Sequence, residues 1–130
     1  MQNNENEQKK MYLKSYRRSV KREQDILEEI QKLREDEKFP LMEENQDDYP
    51  EFKESVDELI EELKEERLAK IRRHINVKRK IDSIKDDDER EVLRLRYIEG
   101  LKWEEVAVEI GYSWRRTHDI HSNALKHLSL

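Results

Sequence analysis

Glycine and proline are almost absent from this chain, and their positions divide it into a few uninterrupted segments. Its 130 residues include two glycines and two prolines, and residues 11–38 contain neither. Because these residue types commonly end helices, long runs without them favour long helices. Apolar residues make up 34% of the chain and charged residues 45%, which is too little apolar material for a thick globular core. The sequence therefore predicts an all-α fold with long, thinly striped helices.

Two long amphipathic helices are predicted from the spacing of apolar residues. The first stripe recurs at steps of three or four or their sum, at Leu13, Tyr16, Val20, Leu27, Ile30 and Leu33. Phe39 and Pro40 end this helix, and Pro50 suits the first position of the next. The second stripe runs through Val56, Ile60, Leu63, Leu68, Ile71, Ile75, Ile81 and Ile84. Helices of matching length joined by a short connection most simply form an antiparallel, coiled-coil-like hairpin.

Three segments follow from these patterns. Residues 1–8 are polar and are expected to be disordered, residues 9–85 form the hairpin with an acidic tip near residues 39–50, and residues 86–130 form a separate small domain. The chain has no cysteine, no apolar signal segment and no run of 18 apolar residues. We therefore expect a cytoplasmic protein that does not span a membrane.

Charge is distributed unevenly along the predicted hairpin, although the net charge of the whole chain is −5. Residues 9–22 and residues 67–81 each contain seven basic residues and no acidic residue, whereas residues 23–66 contain 19 acidic and five basic residues. Folding the chain about its middle brings the two basic blocks together beside the C-terminal domain. Since clustered like charges repel one another, this arrangement predicts a polyanionic partner at the basic end, with solvated helix surfaces as the alternative.

The C-terminal segment is predicted to form three short helices. Asp86 or a neighbour caps the first, which carries Val92, Leu93, Leu95, Tyr97 and Ile98 and ends at Gly100. The second places Trp103, Val106, Ala107 and Ile110 on one face and ends at Gly111. Ser113 caps the third, whose inward face is Thr117, Ile120, Ala124 and Leu128, with His121 beside it. A helix, a short glycine-containing turn and a second helix, with a supporting helix before them, form the helix-turn-helix pattern.

The segment "EREVLRLRYIEGLKWEEVAVEIGYSWRRTHDIHSNALKHL", residues 89–128, resembles the DNA-reading fourth region of bacterial sigma factors. With the long charged hairpin before it, the chain resembles phage transcriptional regulators of the RinA and ArpU kind. The resemblance implies a phage or prophage regulator that binds promoter DNA in the cytoplasm of a bacterial host cell. Thr117 stands where the family usually has an aliphatic residue, and Asp119 where it has a basic or neutral one.

The resemblance implies that DNA meets the start and outer face of the third helix. The residues expected there are Trp114, Arg115, Arg116, His118, Asp119, Ser122 and Lys126, with further phosphate contacts from Lys102, Arg72, Arg73 and Arg79. Arg115 points away from the predicted core face and is expected to contact a base, whereas Arg116 lies to the flank and is expected to contact phosphate. For Trp114, packing and contact with a base or sugar remain equal alternatives.

Catalysis and metal binding have little support in this sequence. His118 and His121 are three residues apart, but no third ligand with a characteristic spacing accompanies them. No nucleophile with its base and no glycine-rich phosphate loop is present. We therefore expect a protein that is not an enzyme and needs no cofactor or metal.

Three hypotheses for function remain, and the first is preferred. It is a sequence-specific transcription regulator, most simply a homodimer, because one small helix-turn-helix reads few base pairs. The second, compatible with the first, is a module that docks on RNA polymerase without its own DNA specificity. The third is a DNA-packaging recognition protein or a coiled-coil assembly protein, since the hairpin's apolar stripes also suit intermolecular bundles.

Overall fold

The computed structural model of the chain describes residues 2–35 and 50–130, and all regular structure in these two ranges is helical. Two long helices are followed by a small helical domain, as the sequence predicted. The helices are α1 (Gln2–Glu35), α2 (Pro50–Asp82), α3 (Asp87–Leu93), α4 (Trp103–Ile110) and α5 (Trp114–His127), and a π-helical stretch, Arg94–Ile98, directly continues α3.

The start of α1 differs from the prediction. The helix begins at Gln2, so residues 2–8, which were expected to be disordered, are helical. The turns that follow are anchored, because Lys9 Nζ donates a hydrogen bond to the Leu125 carbonyl at 2.7 Å and Leu13 is fully buried. A helix held in this way extends readily by one or two polar turns, since each added residue needs no new nucleus. The second long helix begins at Pro50, as predicted. The predicted Phe39-Pro40 stop and most of the acidic tip lie outside the described residues.

The chain forms two compact units, and each long helix is divided between them. The helix-turn-helix unit comprises residues 1–18 and 71–130, and the hairpin unit comprises residues 19–70. The compact unit that contains the helix-turn-helix therefore reaches well beyond the predicted boundary at residue 86.

The helix-turn-helix unit has a core in two parts. The first joins the beginning of α1 and the end of α2 to α3, the π-helical stretch and the end of α5. Its buried residues are Leu13, Val77, Ile81, Ile84, Leu93, Tyr97, Ala124, Leu125 and Leu128. The second part lies among α3, the π-helical stretch, α4 and α5, with Val92, Leu95, Val106 and Ile120 buried. The hairpin's first helix thus supplies Leu13 to the core of the C-terminal domain.

The hairpin unit has a much thinner core. Its buried residues are Ile26, Ile30 and Leu63, with Leu59 and Ile60 packed against them. The two predicted stripes are only partly buried. Leu27 and Leu68 are exposed in the hairpin unit, and Ile71 and Ile75 are exposed in the part of α2 that belongs to the helix-turn-helix unit. Leu68 follows the buried Leu63 by five residues, which turns it about 140° around the helix. Ile26 and Val77, which the predicted stripes omitted, are buried instead.

Candidate nucleic-acid interface

Helix α5 is positioned by its cap and by the turn before it. Gly111 ends α4 with φ 78°, a left-handed conformation that favours glycine. Ser113 Oγ then accepts a hydrogen bond from the Arg116 backbone N–H at 3.0 Å. The Thr117 hydroxyl donates to the Ser113 carbonyl at 2.8 Å, so this fully buried polar group is satisfied. Thr117 can therefore occupy a core position where an aliphatic residue was expected.

The inward face of α5 is the predicted one. Thr117, Ile120, Ala124 and Leu128 are all buried, and His121 lies beside them. This face attaches the helix to both parts of the core. The opposite face is consequently free to meet a ligand.

The outward face of α5 carries four of the predicted site residues in one row. These residues are spaced at i, i+4, i+7 and i+11, so they share one face of the helix. All four are exposed: Arg115, Asp119, Ser122 and Lys126. Within the described part of the chain, Arg115 has no hydrogen-bond or ion-pair partner, so its five N–H donors are available. The row places the carboxylate of Asp119 between the cations Arg115 and Lys126.

Arg116 lies on one flank of this row and is held in place by the turn. Its guanidinium lies 5.8 Å from the centroid of the Tyr112 ring. The Tyr112 hydroxyl in turn donates to Asp88 Oδ2 at 2.8 Å, and this hydrogen bond raises the pKa of Tyr112. The contacts connect the turn before α5 to the start of α3.

The other flank carries a stack of aromatic rings that was not predicted from the sequence. Trp114 is 56% exposed, and its ring centroid lies 3.9 Å from that of His118. His118 also packs on Trp103, with centroids 4.5 Å apart. Trp114 therefore both packs and presents an open face. The spacing of Trp114 and His118 at i and i+4 was the available signal.

Below this stack, His121 and Tyr97 form a buried hydrogen-bonded pair. The Tyr97 hydroxyl lies 2.8 Å from His121 Nε2. Burial raises the pKa of Tyr97 to about 12. Burial and the positive charges of Lys10, His118, Arg96 and Lys14 lower the pKa of His121 to about 4. His121 is therefore a neutral imidazole hydrogen-bonded to a protonated Tyr97 hydroxyl, and it forms part of the core.

The predicted phosphate contacts all belong to the helix-turn-helix unit. Lys102 is exposed at the start of α4, where its backbone N–H donates to Glu105 Oε1 at 3.1 Å. Arg72 and Arg79 are exposed on α2, whereas Arg73 is half-buried. Their contact with DNA remains a prediction.

The two basic blocks of the sequence are divided between the compact units. Ten of their fourteen cations, at residues 9–18 and 72–80, belong to the helix-turn-helix unit. The other four belong to the hairpin unit and pair with carboxylates at 2.8 to 3.8 Å: Lys21, Arg22, Arg67 and Lys70. Most of the basic residues of the two blocks thus belong to the unit that contains α5, where Lys10 and Lys78 also contact carboxylates, Glu7 and Asp82, at 3.4 Å.

The described residues contain no group of three or more His, Asp or Glu side chains suited to holding a metal ion. Across residues 2–35 and 50–130, none of the helices is both long enough and apolar enough to cross a membrane.

Comparison with known proteins found one family model that is similar to the small domain. Residues 86–129 match the family model of sigma-70, region 4. Region 4 is a DNA-binding helix-turn-helix module of transcription factors, so the match supports a role in DNA binding and transcription. No match was found among curated proteins or among solved structures.

Proposed function

We propose that this chain is a phage or prophage transcription regulator that reads promoter DNA with α5 and acts together with RNA polymerase. The observation that carries the proposal is the exposed row on α5, with the unpartnered Arg115 in its first turn. The first turn of a recognition helix enters the major groove, where the arginine fork fits guanine O6 and N7. We further propose a homodimer, because two half-sites compensate for the few base pairs that one domain reads.

We assign sequence recognition to the outward face of α5 and general DNA affinity to the basic residues around that face. Arg115 contacts a base, while Arg116, Lys102, Arg72, Arg73 and Arg79 contact phosphates. The exposed face of Trp114 meets a sugar or a base at the edge of the groove. His118 holds that ring in place, and Ser122, Asp119 and Lys126 face the groove floor.

Binding-site selection from random DNA, followed by footprinting with the purified chain, tests this function. We expect one enriched sequence and a discrete protected site without other proteins. Protection only in the presence of RNA polymerase would instead indicate a docking module without its own specificity. A closed ring of eight or more chains that leaves DNA unprotected would indicate packaging or assembly, and light scattering distinguishes it from a dimer.

The role of Arg115 is tested by comparing two adjacent variants. Arg115→Ala should lose about 1–3 kcal/mol of binding free energy on the selected site and relax the preference at one base pair. Arg116→Ala is the matched control and should weaken selected and random DNA alike, since phosphate contacts carry no base information. An Arg115→Ala loss of equal size on both DNAs would make Arg115 a phosphate contact.

A further inference from the structure

A second flank of α5 is bordered by the beginning of α1, which lies outside the segment that matches sigma region 4. The hydrogen bond from Lys9 to the Leu125 carbonyl and the burial of Leu13 fix α1 against the side of α5. In steps of 100°, Leu125 and His118 share this side, and it adjoins the outward row that contains Arg115. Side chains that leave α1 here therefore lie beside the proposed DNA-reading face.

Positive charge is gathered on this flank. Arg96 lies 4.8 Å from the centroid of the Trp103 ring and donates to the Leu101 carbonyl at 2.9 Å. Lys10 and Lys14 are near enough to His121 that their charges help to lower its pKa, beside the larger effect of burial. Lys14 is exposed and has no ion pair within the described ranges, while Lys10 contacts Glu7 at 3.4 Å. Three cations, Lys10, Lys14 and Arg96, thus lie near this flank together with one carboxylate, that of Glu7.

Such a cluster is unfavourable in isolation, because like charges repel one another, and it becomes favourable beside a polyanion. A helix with its side chains is about 10–12 Å in diameter and fills a major groove about 12 Å wide. Phosphates of the two DNA strands consequently border both flanks of an inserted helix. Arg116 occupies one flank of α5, and the α1 residues occupy the other.

We infer that Lys10 and Lys14 contact the DNA phosphate backbone on the α1 side of the recognition helix. The inference rests on the proposed function, and it assigns to the hairpin's first helix a direct part in DNA affinity. Arg96 keeps its position over Trp103 and contributes charge without direct contact. The contacts are independent of base sequence, so they strengthen binding to selected and random DNA equally.

The salt dependence of binding tests this inference with a Lys10→Ala/Lys14→Ala double variant of the full chain. Each phosphate contact contributes about 0.9 to the slope of log affinity against log salt. Loss of two contacts should therefore make the change in affinity between about 50 and 200 mM salt roughly tenfold smaller than in the wild type. Lys14→Arg should retain the wild-type slope. The matched control is Lys32→Ala, which removes an exposed cation from the part of α1 that lies in the hairpin unit. This variant should keep the wild-type slope of log affinity against log salt.

Several outcomes separate the inference from the proposed function. An unchanged slope in the double variant, with wild-type helix content by circular dichroism, overturns the contact while leaving DNA binding intact. A loss confined to the selected site overturns it as well, since phosphate contacts act on all sequences. Failure of the wild-type chain to bind any DNA overturns the proposed function and this inference together.

Discussion

The two compact units of this chain use the same long helices but bury their apolar side chains to different extents. In the helix-turn-helix unit, Leu13, Val92 and Ala124 are completely buried among side chains from several helices. In the hairpin unit, Ile26, Ile30 and Leu63 form one narrow seam, and Leu68 is 56% exposed. Ion pairs such as Lys70–Glu23 at 2.8 Å lie along that seam. One unit is therefore stabilised mainly by apolar burial and the other by a thin seam with charged edges.

The strongest test of this contrast is to separate the sigma-like segment from the helices that complete its core. A fragment of residues 86–130 lacks Leu13, Val77, Ile81 and Ile84. Burial of each aliphatic side chain contributes about 1.5–3 kcal/mol, so the summed loss is comparable with the whole stability of a small domain. We expect the fragment to be largely unfolded by circular dichroism. Adding a peptide of residues 2–18 to a fragment of residues 71–130 should restore helix, and a stably folded 86–130 fragment would contradict the shared core.

A smaller effect is expected when one side chain is shortened in each unit. Leu13→Ala should lower the free energy of unfolding by about 3–5 kcal/mol, because the side chain is fully enclosed and its cavity cannot collapse easily. Ile26→Ala should cost about 2 kcal/mol, near the lower end of such changes, because the thin seam can close around the gap. Urea unfolding of both variants measures the difference. Equal losses would mean that the two cores are equally tight.

Acid should act on the helix-turn-helix unit through His121. This side chain binds a proton near pH 6.5 in the unfolded chain, but its pKa is about 4 in the folded one. Between these pH values the unfolded state holds more protons than the folded state. The contribution of neutral His121 to the free energy of unfolding is therefore fully present above pH 6.5 and is lost as the pH drops toward 4. The loss contributed by His121 should reach about 3 kcal/mol.

Urea unfolding at several pH values measures this loss. The His121→Gln variant keeps an acceptor for Tyr97 but does not titrate, so its stability should change less over the same interval. An identical pH dependence in the variant and the wild type would show that His121 does not carry the effect.

The smallest effect is expected at the ion pairs of the hairpin unit. Glu23 approaches Lys70 at 2.8 Å and Arg67 at 3.7 Å, and its side chain is 17% exposed. Glu23→Gln should lower the free energy of unfolding by less than about 1 kcal/mol, since partly solvated pairs are weak. The loss should shrink further in high salt. A loss as large as that of Leu13→Ala would show that charge, and not the apolar seam, stabilises this unit.

Local signals allowed much of the small domain to be predicted. The Asp86 and Ser113 caps, the stops at Gly100 and Gly111 and the buried face of α5 all follow from residue types at fixed spacings. These features depend on contacts within a few residues. Sequence reasoning therefore located α5 and its outward row, including Arg115 and Lys126.

The contacts between distant segments could not be predicted in the same way. Leu13 and Leu27 belong to one predicted stripe, yet Leu13 is fully buried and Leu27 is 38% exposed. Periodicity identifies a face of a helix, but it does not say which turns of that face meet another domain. For the same reason the contact of His118 with Trp103 and the hydrogen bond from Lys9 to the Leu125 carbonyl became visible only in three dimensions.

The shared core also constrains the order of folding. Leu13 packs in one cluster with Leu125 and Leu128, which follow it by more than one hundred positions. During synthesis, α1 is therefore made long before its packing partners. Until those partners are made, the apolar side chains of α1 remain exposed to solvent among charged neighbours. Contacts so distant along the chain slow folding, because a large loop must close before they form. Helix α5 thus gains its final support only when α1 packs against it.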